Sequence, residues 1–175
     1  LKIAPKMQIS NRQQYSWHID QKESFRLIGK SKTFSCKNGE HYLQIPKFWS
    51  ECHARGDTAK LISLDRGNPK GIFGLFTDFC KQRDETVYSI MVISDQEAPP
   101  GFDEIVIPPA AWAVFDCHGK IPQSIHHGWK YLNEEWLLKY PFKHAPCPEL
   151  EWYSEGDQTS DTYKAQIWIP IIEER

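Results

Sequence analysis

The chain has 175 residues, of which 40% are hydrophobic, and its formal net charge is -2. A chain of this length forms one domain, or two small halves that share a core, and buries about 70% of its unfolded surface. The near-neutral charge predicts that the chain itself binds neither nucleic acid nor an anionic membrane. No apolar run approaches the ~20 residues of a membrane-spanning helix.

Hydrophobic periodicity divides the chain into two halves with the same order of elements. The predicted elements of the first half are a strand at residues 25–30, a helix at 44–54 and strands at 71–79 and 86–94. Those of the second half are a strand at 111–117, a helix at 123–140 and strands at 149–154 and 163–169. Residues 95–103 contain Pro and Gly and lack periodicity, so they are the predicted linker.

Short strands joined by turn residues favour an antiparallel sheet over a parallel one. We therefore predict an α+β fold made of duplicated β-α-β-β units related by pseudo-twofold symmetry. The sheet carries two main helices, and a central ligand cleft is expected between them.

Each predicted helix presents a tryptophan on its apolar stripe. In the second helix, Ile125, Trp129, Leu132 and Trp136 are spaced by four, three and four residues, which places them on one face. We predict that Trp136 packs against the sheet and that Trp129 reaches the edge of a cavity. Trp49 has the equivalent position in the first helix.

One predicted strand carries an acid within an aromatic run, PELEWY at residues 148–153. Because side chains alternate along a strand, Glu151 and Tyr153 share one face, and Leu150 and Trp152 share the other. If Leu150 and Trp152 pack against other layers, Glu151 faces the cleft; otherwise it faces water. A carboxylate removed from water needs a cation, a proton or a ligand. The residues alone leave both orientations open.

The sequence contains no pattern typical of a metal or cofactor site. The five cysteines are odd in number and never form Cys-x-x-Cys, which predicts reduced thiols in a cytoplasmic protein. His126 and His127 diverge by about 100° on a helix, and Cys117 and His118 point to opposite faces of a strand. Gly-rich phosphate loops are also absent, so no metal and no cofactor are expected.

Five segments, in order, resemble the GyrI-like (gyrase-inhibitor-like) effector-binding domain found C-terminal to the DNA-binding helices of AraC-type bacterial regulators. They are SFRLIGK at 24–30, IPKFW at 45–49, IPPAAWAVF at 107–115, PELEWY at 148–153 and IWIP at 167–170. The resemblance implies an effector-binding domain at residues 21–175, with halves at 21–95 and 104–175. Residues 1–20 resemble the connector from an upstream DNA-binding region.

This resemblance implies a sensor with an aromatic pocket between the halves and one acidic residue that meets a cationic or polarised ligand. Glu151 matches the acidic position of the family, and Trp49 and Trp112 match aromatic positions near the cleft. Tyr153 and, from the first half, Tyr88 complete the predicted ligand-binding site. A carboxylate beside aromatic rings attracts organic cations through charge and cation–π contact.

The predicted partner is a small hydrophobic or cationic effector, with DNA bound only through an upstream domain and no membrane. The sequence leaves open whether the domain is a monomer or a homodimer. A second hypothesis is catalytic, because some GyrI-like proteins are hydrolases that open cyclopropane-containing compounds. Glu151 would then act as general acid or base and Tyr153 as an orienting donor. We favour a sensing domain without catalysis.

Overall fold

The computed structural model describes residues 15–140 and 142–173. Its strands are β1 (Trp17–Lys22), β2 (Phe25–Ser35), β3 (Gly71–Cys80), β4 (Glu85–Ile93), β5 (Asp103–Ile107), β6 (Ala110–His118), β7 (Phe142–His144), β8 (Leu150–Ser154) and β9 (Lys164–Glu173). Its main helices are α1 (Glu40–Ala54), α2 (Asp57–Leu64) and α3 (Gln123–Tyr131). A π-helical turn, Leu132–Trp136, and a last α-helical turn, Leu137–Lys139, extend α3.

The strands form one antiparallel sheet in the order β1-β6-β9-β8-β3-β4-β2-β5, with β7 paired to β9. This order is symmetric about the central β8–β3 pair, so that β2, β3 and β4 correspond to β6, β8 and β9. The halves also exchange strands: β1 precedes β2 in the chain but pairs with β6, and β5 precedes β6 but pairs with β2. The predicted α+β fold with duplicated units is confirmed.

Every strand and helix that the sequence predicts is present, and three strands and one α-helix of the described residues were missed. These are β1, β5, β7 and α2. β5 and β7 have only five and three residues, too few for a clear periodicity. The predicted linker ends at Asp103, where β5 begins. Most of the predicted connector, residues 1–14, lies outside the described residues, and the domain boundaries stay predictions.

The main helices cover one face of the sheet. Phe48 and Cys52 of α1 join the buried cluster that includes Ile90 of β4. Ile125 of α3 and Trp136 of the π-helical turn join a second cluster over β6 and β9. α1 and α3 therefore cover different halves, and the middle of the sheet lies open between them.

The second predicted helix is not α-helical throughout, because the π-helical turn Leu132–Trp136 interrupts it. Such turns often occur at functional sites. Trp136 is fully buried and meets Phe115 edge to face, with ring centroids 4.9 Å apart. The prediction that Trp136 belongs to the core is confirmed.

On the other face of the sheet, side chains from the two halves pack against each other. Phe25 of β2 lies 6.2 Å from Trp112 of β6 and 6.5 Å from Trp168 of β9, measured between ring centroids. These strands stand on different sides of the central pair, so the sheet must be strongly curved. We call this side the concave face. Its buried core includes Leu27, Phe73, Met91, Leu150 and Trp152.

The five cysteines are free in the structure. No helix within residues 15–140 and 142–173 has the length and hydropathy needed to cross a membrane. The same residues contain no group of three or more His, Cys, Asp or Glu side chains arranged to hold a metal ion.

Candidate ligand-binding site

The open space between α1 and α3 is a cavity of about 1010 Å³ above the central strands. Such a volume is suited to a drug-sized molecule. Ile45 and Trp49 of α1 form one wall, and Ile125 and Trp129 of α3 form the facing wall. The floor comes from the sheet and includes Gly74, Tyr88, Glu151 and Tyr153. The predicted central cleft therefore exists, and it is largely aromatic.

The orientation of Glu151 follows from its two neighbours on β8. Leu150 and Trp152 are 0% and 3% exposed and pack in the core of the concave face. Because side chains alternate along β8, Glu151 and Tyr153 must point to the opposite face, which is the floor of the cavity. The structure therefore decides the alternative that the sequence leaves open, and Glu151 faces the cleft.

Two hydrogen bonds hold the Glu151 carboxylate in place. Trp129 Nε1 and Tyr153 Oη both donate to Glu151 Oε2, each over 3.3 Å. Trp129 comes from α3 and Tyr153 from the same strand as the acid, so the carboxylate is fixed between a helix and the sheet. The second carboxylate oxygen, Oε1, receives no hydrogen bond from a described side chain.

Burial raises the pKa of Glu151 above its usual range. The hydrogen bonds from Trp129 and Tyr153 oppose this shift, and the nearby charge of Glu149 adds to it. Among the described residues, no Lys, Arg or His forms an ion pair with Glu151. The cavity thus contains a desolvated acid without a counter-ion from the described part of the chain, an unfavourable state that a bound cation would relieve.

An aromatic group surrounds the acid. Trp49 Nε1 donates to Tyr88 Oη over 3.0 Å, and the rings of Trp49 and Tyr153 meet edge to face at 5.6 Å. Burial and the charge of Glu151 raise the pKa values of both Tyr88 and Tyr153. Both phenols are therefore neutral, and the rings offer π faces and polar edges without adding charge.

Gly74 allows this aromatic group to sit low on the sheet. It lies directly opposite Glu151 in the β3–β8 pair. A Cβ atom at this position would lie 2.2 Å from Tyr88 Oη and 3.6 Å from the Trp49 ring. The absence of a side chain is thus what lets the Tyr88 ring occupy the cavity floor.

Four of the five predicted site residues line one cavity, and the fifth does not. Trp112 is 0% exposed and packs against Phe25 and Trp168 on the concave face. Its register explains this: Val114 of the same strand pairs with Trp168 of β9, and Trp168 pairs with Leu150 of β8. Paired residues share a face, so Trp112 lies on the concave face and Glu151 lies on the other face. Its predicted position near the cleft is wrong.

Part of the cavity lining was not predicted from the sequence. Trp129 was expected only to reach the edge of a cavity, whereas it contacts the central acid. His126 and Asn133 add polar groups from the α3 side. His144 and Glu149 line the cavity from the segment between β7 and β8. No periodic signal marks that segment, and its place above the cavity depends on how β7 pairs with β9.

Known proteins share this fold and, over most of the chain, a family pattern. The family model "Cass2: Integron-associated effector binding protein" matches residues 18–171. SAV2435, in a structure bound to tetraphenylphosphonium, is 25% identical, with a TM-score of 0.79 over 90% of this chain and 94% of that one. No match is found among curated proteins.

Two further solved structures have the same fold. A Staphylococcus aureus MU50 protein named for bacterial transcription regulation is 24% identical, with a TM-score of 0.75 over 90% of this chain and 99% of that one. The C-terminal domain of EcmrR is 18% identical, with a TM-score of 0.59 over 91% and 99%. Because the family pattern spans residues 18–171 and the fold agrees with these structures, the chain belongs to the Cass2 family of integron-associated effector-binding proteins, which have the GyrI-like fold.

Proposed function

We propose that this chain is the effector-binding part of a bacterial transcription regulator of the AraC type, and that its effectors are lipophilic organic cations. The observation that carries the proposal is Glu151, a desolvated carboxylate on the floor of an aromatic cavity. Among the described lining residues there is no Lys or Arg. A ligand that combines flat apolar groups with a positive charge satisfies both features of this site.

The aromatic walls add to the attraction of the acid. A cation near the face of a Trp or Tyr ring gains about 0.5–2 kcal/mol, depending on how far it is desolvated. Trp49, Trp129 and Tyr153 surround the acid from α1, α3 and β8. Because the charge of an organic cation is spread and weakly hydrated, it enters such a cavity with less loss of solvation than a Lys ammonium would.

The similar proteins support this proposal. SAV2435 has been solved with tetraphenylphosphonium, a bulky organic cation. EcmrR, whose C-terminal domain has the same fold, has been solved in a complex with DNA. In a regulator of this kind, a ligand that binds one arrangement of the protein better than another shifts the population by that difference in affinity. The proposed domain would supply that ligand-dependent step.

A pair of ions with the same shape and opposite charge tests the role of the acid. Tetraphenylphosphonium and tetraphenylborate would be titrated calorimetrically into the wild-type chain and into Glu151→Gln. We expect the cation to bind and the anion not to bind. We also expect Glu151→Gln to weaken cation binding about tenfold or more. A tenfold loss corresponds to ~1.4 kcal/mol, which is a modest share of the interaction energy of a partly desolvated charge pair.

Two results would contradict this proposal. Equal binding of the two ions by the wild type would mean that shape and hydrophobicity alone determine recognition. Unchanged cation affinity in a folded Glu151→Gln variant would remove the acid from the site. Ligand that disappears with time, in a way that Glu151→Gln abolishes, would instead assign the cavity to catalysis.

A further inference from the structure

A second carboxylate, Glu149, lines the same cavity as Glu151. It lies at the mouth, immediately before β8, and its side chain is 42% exposed. Residues two apart along an extended segment have Cα atoms about 7 Å apart, and both Glu149 and Glu151 line the cavity. The charge of Glu149 acts on Glu151, whose pKa it raises. The cavity thus has one acid on its floor and another at its mouth.

His144 is the side-chain partner of Glu149 in the structure. Its Nε2 lies 3.2 Å from Glu149 Oε1, and its Nδ1 lies 2.6 Å from the carbonyl oxygen of Ala145. The His144 side chain is 48% exposed, and exposed ion pairs contribute little to stability. A ligand cation can therefore replace the imidazole at small cost.

The geometry points to Glu149 as a second anionic subsite, which makes the cavity selective for aromatic dications whose positive centres are about 7 Å apart. This inference rests on the proposed function, because Glu151 holds the first positive centre. The aromatic body of the ligand would lie between Trp49 and Trp129, and its outer cation would take the place of His144 beside Glu149.

Two ligands with one benzene ring each allow a matched test. The dication is para-xylylene-bis(trimethylammonium), which has one ammonium group at each end of the ring. The monocation is 4-methylbenzyltrimethylammonium, in which a methyl group replaces one end. The quantity to compare is the ratio of their affinities, measured by calorimetry on the wild type, Glu149→Gln, His144→Gln and Glu151→Gln. Circular dichroism confirms that each variant is folded.

We expect the dication to bind the wild type about three- to fivefold more tightly than the monocation, the size of an exposed ion pair. Glu149→Gln should lower this ratio to the statistical factor that a ligand with two equivalent ends has over a ligand with one. The same variant should leave the monocation affinity within about twofold. His144→Gln should raise the ratio, because it removes the imidazole that competes for Glu149. Glu151→Gln should weaken both ligands.

The two proposals can fail separately. If the monocation binds through Glu151 but Glu149→Gln leaves the ratio unchanged, the second subsite is overturned and the proposed function stands. If neither ligand nor tetraphenylphosphonium binds the wild type, the proposed function fails and the second subsite fails with it. A ratio that falls in His144→Gln would also overturn the inference, because His144 would then help to hold the dication.

Discussion

Two pairs of tryptophans, one pair on each face of the sheet, have different roles. On the concave face, Trp112 and Trp152 are almost completely buried, and no described residue accepts a hydrogen bond from their indole nitrogens. On the cleft face, Trp49 and Trp129 are half-buried, and each donates its indole N–H, to Tyr88 and to Glu151 respectively. Trp112 and Trp152 thus fill volume, whereas Trp49 and Trp129 present oriented polar edges to the cavity.

The comparison teaches that neighbouring residues of one strand can have different roles. Trp152 fills the closed core, and Tyr153 holds the acid of the open cavity. The alternation of a strand separates these roles by a single position. Substitutions at the two positions should therefore affect different measurements, namely the free energy of unfolding on one side and ligand affinity on the other.

The largest effect is expected for Trp152→Ala. Removing a buried tryptophan should lower the free energy of unfolding by about 3–5 kcal/mol, because the concave core loses both apolar contact and volume. Urea denaturation measures this loss. The control is Tyr153→Phe, which keeps the ring and removes only a hydroxyl, and should cost less than about 1.5 kcal/mol. Equal losses in the two variants would contradict the division between the faces.

An intermediate effect is expected for Gly74→Ala on the cleft face. The new methyl group would collide with Tyr88 Oη, so the ring must move, and overpacking of this kind costs about 1–3 kcal/mol. Tetraphenylphosphonium binding should weaken as well, because the cavity floor is displaced. Denaturation measures the loss of stability, and calorimetry measures the loss of affinity.

The double variant Gly74→Ala with Tyr88→Phe is the control for that collision. It removes the hydroxyl that lies nearest to the new methyl group, so part of the lost stability should return. If the double variant were no more stable than Gly74→Ala alone, the contact with Tyr88 would not be the source of the loss.

The smallest effect is a dependence of stability on pH that Glu151 causes. Its ordinary pKa is 4.5, and burial raises it in the folded state. Between these two values the folded protein binds more protons than the unfolded chain, so stability falls as pH rises through that window. Wild type should therefore lose stability relative to Glu151→Gln from pH 4 to pH 8, as thermal melting at several pH values would measure. A parallel pH dependence in both proteins would contradict a raised pKa.

Much of the fold could be predicted because its signals are local. The strands alternate or form short apolar runs, and the α3 stripe places Trp136 in the core. The sequence also identified Glu151, Tyr153, Trp49 and Tyr88, which line one cavity. The sequence did not predict the features that depend on long-range strand pairing. These are β1 and β5, which exchange between the halves, and the cavity mouth at His144 and Glu149.

The sequence by itself determined which side chains share a face, because the period of a strand is a property of the backbone. It could not determine which face is closed over the central strands, because that depends on what each face meets. The tertiary structure decided this by curving the sheet so that Phe25 reaches Trp112 and Trp168. That contact closed one face around three tryptophans and left Glu151 on the other, under the open space between α1 and α3.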